Sequence, residues 1–313
     1  MILNSVSLAI VYILMKKLGV GLNSSQVVFF YKICCFLIIL PWVFSDGLSI
    51  LKTPQLKLHI LRGFFSAAGS LFFMYSLQHV KLANATALSY LEQVLWAVIA
   101  MIFFKEKFSI LKITAVVVSF LGAAAVIYPG LIQFIPPFVN IQVITTSDYN
   151  PYYTFTMLAV LSWTANSVSV KVLGRTAKNK TQAFYALLFS SIFAFPVAFV
   201  DWQYVDFVFS VPMPQGVVPF YNIEFKPIYA AYFAVITLCY VIHSVAFFKA
   251  MQKANMSALA PYHYMKIVFV GILGYLLFNE APDSTVYMGY ALIILAGIFL
   301  MKYEHAIQKD KQK

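Results

Sequence analysis

The sequence predicts an all-α membrane protein: ten transmembrane helices, arranged as two inverted five-helix repeats around a central cavity. Three observations predict it: an apolar composition, ten separated apolar runs with a one-sided distribution of basic residues, and an internal repeat with an odd number of runs per copy. Hydrophobic residues make up 62% of the 313 positions and charged residues 11%. A soluble domain averages about 45–50% apolar and about 25% charged. A water-soluble core cannot hide this much apolar side chain, so lipid is the solvent for most of the chain.

The apolar runs are Ile2–Val20, Val27–Phe44, Leu61–His79, Leu82–Phe104 and Ile110–Leu131, then Tyr152–Leu173, Gln182–Val200, Pro227–Ala250, Ser257–Phe278 and Thr285–Tyr303. Each is long enough to cross about 30 Å of hydrocarbon as a helix. With both termini cytoplasmic, sixteen basic residues fall on the inner side, from Lys52, Lys57 and Arg62 to the tail at Lys309, Lys311 and Lys313. Only Lys16, Lys17, Lys81 and Lys226 fall outside. Basic residues favour the cytoplasmic side, so this bias supports the orientation as well as the number of spans. The same distribution accounts for the net charge of +11 without a nucleic-acid partner. Residues Ile132–Pro151 and Asp201–Lys226 read as external interfacial loops or short surface helices. The first run ends at Lys16 and Lys17 rather than at a small-residue cleavage site, so it reads as a span and not a signal peptide.

The halves repeat one pattern. Gln26, an aromatic pair, Pro41 and Asp46 in the second run match Gln182, Phe184-Tyr185, Pro196 and Asp201 in the seventh. Lys81-Leu82-Ala83-Asn84 and Phe103–Glu106 bracket the fourth run, as Lys253-Ala254-Asn255 and Leu277–Glu280 bracket the ninth. Five runs per copy force the second copy to enter from the opposite face, as in secondary transporters. The expected organisation is a first repeat at 1–131, an external loop at 132–151, a second repeat at 152–303 and a cytoplasmic tail at 304–313.

A charge at the bilayer centre costs about 2.5–3.5 kcal/mol on insertion scales, so intramembrane charges are the leading site candidates. Glu92 lies fourteen residues before Glu106, and Lys266 fourteen before Glu280, which puts an acid and a base at equivalent depth in the two copies. We expect both to face one cavity, paired directly or through water; a structural ion pair fixing helix register is the plainer alternative. Ser89 and Trp96 share a helix face with Glu92, and Tyr262 and His263 with Lys266. Pro261 predicts a broken ninth helix, because it removes a backbone donor and frees the carbonyl of Ser257. Tyr240 and His243 centre the eighth run, Tyr75 and Gln78 end the third, and Trp163 and Asn166 centre the sixth; singly, each also suits ordinary packing. Lys32 lies shallower in the second run. Gly122, Gly271, Gly274, Gly289 and Gly297 read as close helix contacts.

Catalytic and cofactor signatures are missing. The five histidines lack metal-ligand spacing, the serines lack a nucleophile elbow, and no glycine-rich phosphate loop is present. Cys34, Cys35 and Cys239 sit in apolar runs with neither metal nor disulfide spacing. No cofactor, no metal and no enzymatic activity are expected; the expected partners are membrane lipid and a small-molecule substrate.

The ten-run repeat, Leu61-Arg62-Gly63 and the closing glutamates resemble the drug/metabolite transporter superfamily of the EamA type, over nearly the whole chain. Within it, Leu22–Phe30, Ala258–Tyr264 and Phe278–Tyr290 are similar to the S-adenosylmethionine uptake transporters of obligate intracellular bacteria. The resemblance implies an inner-membrane carrier or exchanger with a central cavity. The chain departs from that subgroup where His263 replaces an arginine, where Lys266 replaces an acid, and where Glu92 introduces a charge. The basic residue after the Phe29-Phe30 pair is also displaced, to Lys32. The expectation is uptake or exchange of a small metabolite across a bacterial inner membrane, S-adenosylmethionine first. A zwitterionic or anionic metabolite competes with it. Export of amino acids or drugs is the second reading, and a membrane scaffold or receptor the third.

Overall fold

Helix dominates the computed structural model, which describes residues 2–47, 51–103, 110–127, 132–135, 138–141, 150–199, 226–253, 266, 269–280 and 286–310. The helices of the first half are α1 (Ile2–Leu18), α2 (Ser24–Phe44), α3 (Leu56–His79), α4 (Leu82–Ser89), α5 (Leu91–Phe103) and α6 (Ile110–Ile127). Two short strands follow, β1 (Ile132–Ile135) and β2 (Phe138–Ile141). The second half holds α7 (Tyr152–Leu173), α8 (Asn179–Ala198), α9 (Pro227–Lys253), α10 (Phe269–Phe278) and α11 (Val286–Asp310). Helix lies within each of the ten apolar intervals read from the sequence. Five helices, α2, α3, α7, α8 and α9, are long and apolar enough to cross a bilayer. Shorter apolar helical stretches cover Ile113–Ile127, Phe269–Phe278 and Tyr287–Phe299.

The surface identifies the solvent. Leu37, Leu161, Leu238 and Leu276 are more than half exposed, while Lys32, Arg62 and Lys266 are at most 3% exposed. Apolar side chains outside and charged ones inside reverse the soluble pattern. The chain is an all-α multi-span membrane protein.

Packing is organised in two related halves. Helix α3 packs against α7 and α8, and its second-half counterpart α9 packs against α1 and α2. Exchanging the halves therefore maps these pairs onto each other. The counterparts α2 and α8 pack together, as do α6 and α11. Both of these pairs run antiparallel. Lys180 at the start of α8 reaches Asp46 just past the end of α2, and Gly122 late in α6 meets Gly289 early in α11. The helix-end contacts also sort into two groups. Lys16, Gly19, Gly21, Gln78, Val80, Tyr229 and Glu280 meet at one end of the bundle. Asp46, Gln55, Lys171, Thr176 and Met251 meet at the other.

Local sequence explains the helix ends. The Asn23 amide donates to Gln26 Oε1 at 3.2 Å, capping α2. Pro41 and Pro196 lie in the last turns of α2 and α8, which end at Phe44 and Ala198. Proline lacks the amide that would continue the ladder and crowds the preceding turn.

Four expectations need correction. First, α3 begins at Leu56 rather than Leu61, so Arg62 is an intrahelical buried residue and not a loop cation. Second, 132–151 holds a β-hairpin with Ile132 opposite Ile141 and Ile135 opposite Phe138, not only loop or surface helix. Its β-branched and aromatic residues favour strand, and the Pro136-Pro137 pair in the sequence opposes helix. Third, the fourth span is broken between Ser89 and Leu91, at Tyr90, where no proline or glycine signals it. Ser89 Oγ donates to the Thr86 carbonyl at 2.6 Å, a local bond that competes with the helix ladder. Fourth, the glycines differ. A Cβ on Gly122 would lie 2.8 Å from the Gly289 carbonyl oxygen, so α6 and α11 require glycine there. Gly271 faces open space, and Gly274 meets only Leu82 at ordinary contact distance. The predicted break at Pro261 lies outside the described residues, as does Glu106.

Candidate functional site

Both halves line one internal cavity, with about 110 Å³ in which the centre of a water molecule can move. Helices α1, α2, α3, α5, α7, α8 and α9 contribute, with Ser89 at the break and Lys266 ahead of α10. Of the residues singled out in the sequence, Ser89, Glu92, Trp163, Asn166, Tyr240, His243 and Lys266 line this cavity.

The break at Tyr90 sets the polar geometry. It places Ser89 at the end of α4 and Glu92 in the first turn of α5, where the helix dipole favours a carboxylate. The Ser167 hydroxyl of α7 donates to Glu92 Oε1 at 2.7 Å, which links the two halves. Lys266 Nζ stands 4.6 Å above the Tyr12 ring and 5.2 Å from the Tyr90 ring. It lies at the long limit of hydrogen bonding to Tyr12 Oη, 3.5 Å, and to Ser89 Oγ, 3.4 Å. Glu92 and Lys266 thus face the same cavity, but their described contacts are with hydroxyls and rings. A second cation backs the wall: Lys32 Nζ donates to Tyr240 Oη at 2.9 Å and to Ser66 Oγ at 3.2 Å.

Aromatic residues frame the chamber. Trp163 lies nearly parallel to Tyr12 at 6.4 Å and packs on Phe73 at 4.8 Å. Gly69 makes room for it, since a Cβ there would come within 2.5 Å of the indole. His243 stacks on Phe247 at 5.9 Å and neighbours Tyr240 at 5.8 Å.

The remaining predicted residues are elsewhere. Trp96 is buried one turn beyond Glu92, against Phe247. Tyr75 belongs to an aromatic cluster at the end of α3, with Phe155 at 4.7 Å and His79 at 4.8 Å. Gln78 covers Gly19 and donates to Met74 Sδ at 3.8 Å. Neither Tyr75 nor Gln78 lines the cavity, because both sit at the C-terminal end of α3. Tyr262 and His263 lie outside the described residues. Sequence reasoning missed Tyr12, Ser66, Ser70, Ser167 and Ser244, whose small hydroxyls and ring carry no signal inside apolar runs. Among the described residues, no group of His, Cys, Asp and Glu side chains could hold a metal ion.

The sequence pattern of the EamA-like transporter family matches residues 1–128 and 150–303. The chain belongs to that family. This is a transporter family and not an enzyme family. The S-adenosylmethionine uptake transporter of Rickettsia felis is 25% identical over 96% of this chain and 90% of its own length. The riboflavin transporter of Brucella anthropi is 24% identical over 91% of this chain and 90% of its own length. The pseudopaline exporter CntI of Pseudomonas aeruginosa is 22% identical over 96% and 94%. One solved crystal structure superimposes on 97% of this chain and 98% of its own with a TM-score of 0.54 and 16% identity, a likeness of fold. As an EamA-like protein, the chain is a multi-span membrane transporter of a small solute.

Proposed function

We propose that the chain is a secondary carrier of a small polar metabolite, with S-adenosylmethionine uptake or exchange as the first candidate activity. One observation carries the reading: a cavity between the two halves that keeps Glu92 and Lys266 away from lipid and offers them hydroxyl and ring partners. Intramembrane charges of this kind mark substrate pathways, and a broken helix beside them is typical of carrier sites.

The finer architecture belongs to the same proposal. Ten helices form two inverted five-helix repeats, 1–131 and 152–303, which rock about the cavity and expose it to one side at a time. The antiparallel pairs α2–α8 and α6–α11 support inversion, because each joins helices at equivalent positions in the two repeats. The excess of basic residues in alternate segments between the apolar runs of the sequence supports cytoplasmic termini in a bacterial inner membrane. The substrate rests on the relatives named for S-adenosylmethionine uptake in Rickettsia. Export is the second reading, supported by the pseudopaline exporters among the relatives.

The test is uptake of labelled S-adenosylmethionine into sealed vesicles containing the purified protein. Saturable uptake is expected, and Glu92→Gln should lower it roughly tenfold or more, as for a lost charge-assisted hydrogen bond. Absence of uptake removes this ligand; unchanged uptake by Glu92→Gln removes the role of Glu92.

A further inference from the structure

Arg62 is a buried cation of the cavity whose described hydrogen-bond partners carry no charge. It is 1% exposed and lines the chamber from α3. Its Nη1 donates to Gln182, to the backbone oxygen at 3.3 Å and to Oε1 at 3.2 Å. Its guanidinium lies 4.4 Å from the centre of the Phe248 ring. These are neutral partners. The described wall holds one carboxylate, Glu92, which already accepts from Ser167. Arg62 Nε is buried and has no hydrogen-bond partner among the described residues. Gln182 therefore engages one end of the fork, while no described contact occupies the edge formed by Nε and Nη2. That edge matches the two oxygens of a carboxylate in a bidentate pair.

We propose that Arg62 is the anion-recognition residue of the cavity and takes the carboxylate of the transported metabolite. The inference rests on the carrier reading and narrows its substrate to carboxylate-bearing molecules. Lys266 adds a second buried positive charge to the same chamber. Gln182 positions the fork from the second half, so anion binding would also tie α3 to α8. The planar fork, rather than charge alone, favours a carboxylate or phosphate over halide, and the single free edge favours the flat two-oxygen carboxylate.

The sequence contains two arginines, Arg62 and Arg175, so an arginine-selective dicarbonyl reagent can be followed at each by peptide mass spectrometry. The wild-type protein in membranes is treated with phenylglyoxal in acetate, in inorganic phosphate and in neutral acetamide. Acetate should slow modification of Arg62 roughly tenfold, the worth of one charged hydrogen-bonded pair, while acetamide should not. Arg175 is the internal control and should be indifferent. An Arg62 that stays unmodified, or reacts at one rate in all three media, overturns the proposal. Protection by phosphate without protection by acetate overturns the carboxylate assignment. The readout needs no S-adenosylmethionine transport, so its failure and the failure of that substrate are separate results.

Discussion

Lys16 at the end of α1 forms an ion pair with Glu280, which lies just past the end of α10. The same lysine donates to the Val80 carbonyl at 2.9 Å, and the other oxygen of Glu280 accepts the Leu82 amide at 2.7 Å, the first donor of α4. Two side chains thus join the ends of three elements at one face of the bundle. Lys171 at the end of α7, the counterpart of α1, similarly donates to the Met251 carbonyl at 3.0 Å at the opposite face.

The clasp predicts a mutational pattern. Glu280→Gln should destabilise the detergent-solubilised protein by about 1–3 kcal/mol, because a partly buried ammonium loses its counter-charge. The exchanged pair Lys16→Glu with Glu280→Lys should recover part of that loss. Thermal unfolding of the three proteins checks this; equal stability of wild type and Glu280→Gln contradicts it.

At the site, Glu92 and Ser167 should behave as a coupled pair. Their 2.7 Å hydrogen bond predicts a coupling of about 0.5–3 kcal/mol in a double-mutant cycle of Glu92→Gln and Ser167→Ala, read in ligand binding or uptake. Strict additivity would place the two side chains apart.

The glycines give opposite expectations by position. Gly122→Val should cost about 1–3 kcal/mol or more, since the α11 backbone stands in the way and cannot move cheaply. Gly271→Ala should be neutral or stabilising by about 0.5–1 kcal/mol, because open space faces it and alanine is the better helix former. Melting temperatures of the two variants decide the matter.

On the opposite face, Lys180 donates to Asp46 at 2.5 Å, and this hydrogen bond holds the Asp46 carboxyl below the usual carboxylate range. A depressed folded-state pKa stabilises the fold above the unfolded value, and that contribution is lost as pH falls through the folded value. The melting difference between wild type and Asp46→Asn should therefore be present at neutral pH, close in acid and shrink in salt. A difference that persists in strong acid contradicts the link.

The positions of the helices were legible because hydropathy reports the solvent of each segment directly. That Glu92 and Lys266 face one cavity was legible because the repeated Glu106 and Glu280 align the two positions in the sequence. Arg62 was misread for a physical reason: it follows Lys57 and His59, and a cation near an apolar boundary looks solvated until a partner such as Gln182 is seen across the bundle. The break at Tyr90 was invisible because Leu-Ser-Tyr-Leu-Glu contains no helix breaker; Lys266, which packs over the Tyr90 ring, comes from far away in sequence. Tyr12 was hidden for the same reason, as one aromatic among many in an apolar run.

The proposed carrier mechanism makes the polar chamber reachable from either side of the membrane in turn. In a variant with Cys34, Cys35 and Cys239 replaced by serine or alanine, Asn166→Cys places one thiol on the chamber wall. A membrane-impermeant maleimide applied to sealed vesicles of each orientation should label that thiol from both faces. A thiol that reacts from one face only, or from neither, would contradict alternating access to this cavity.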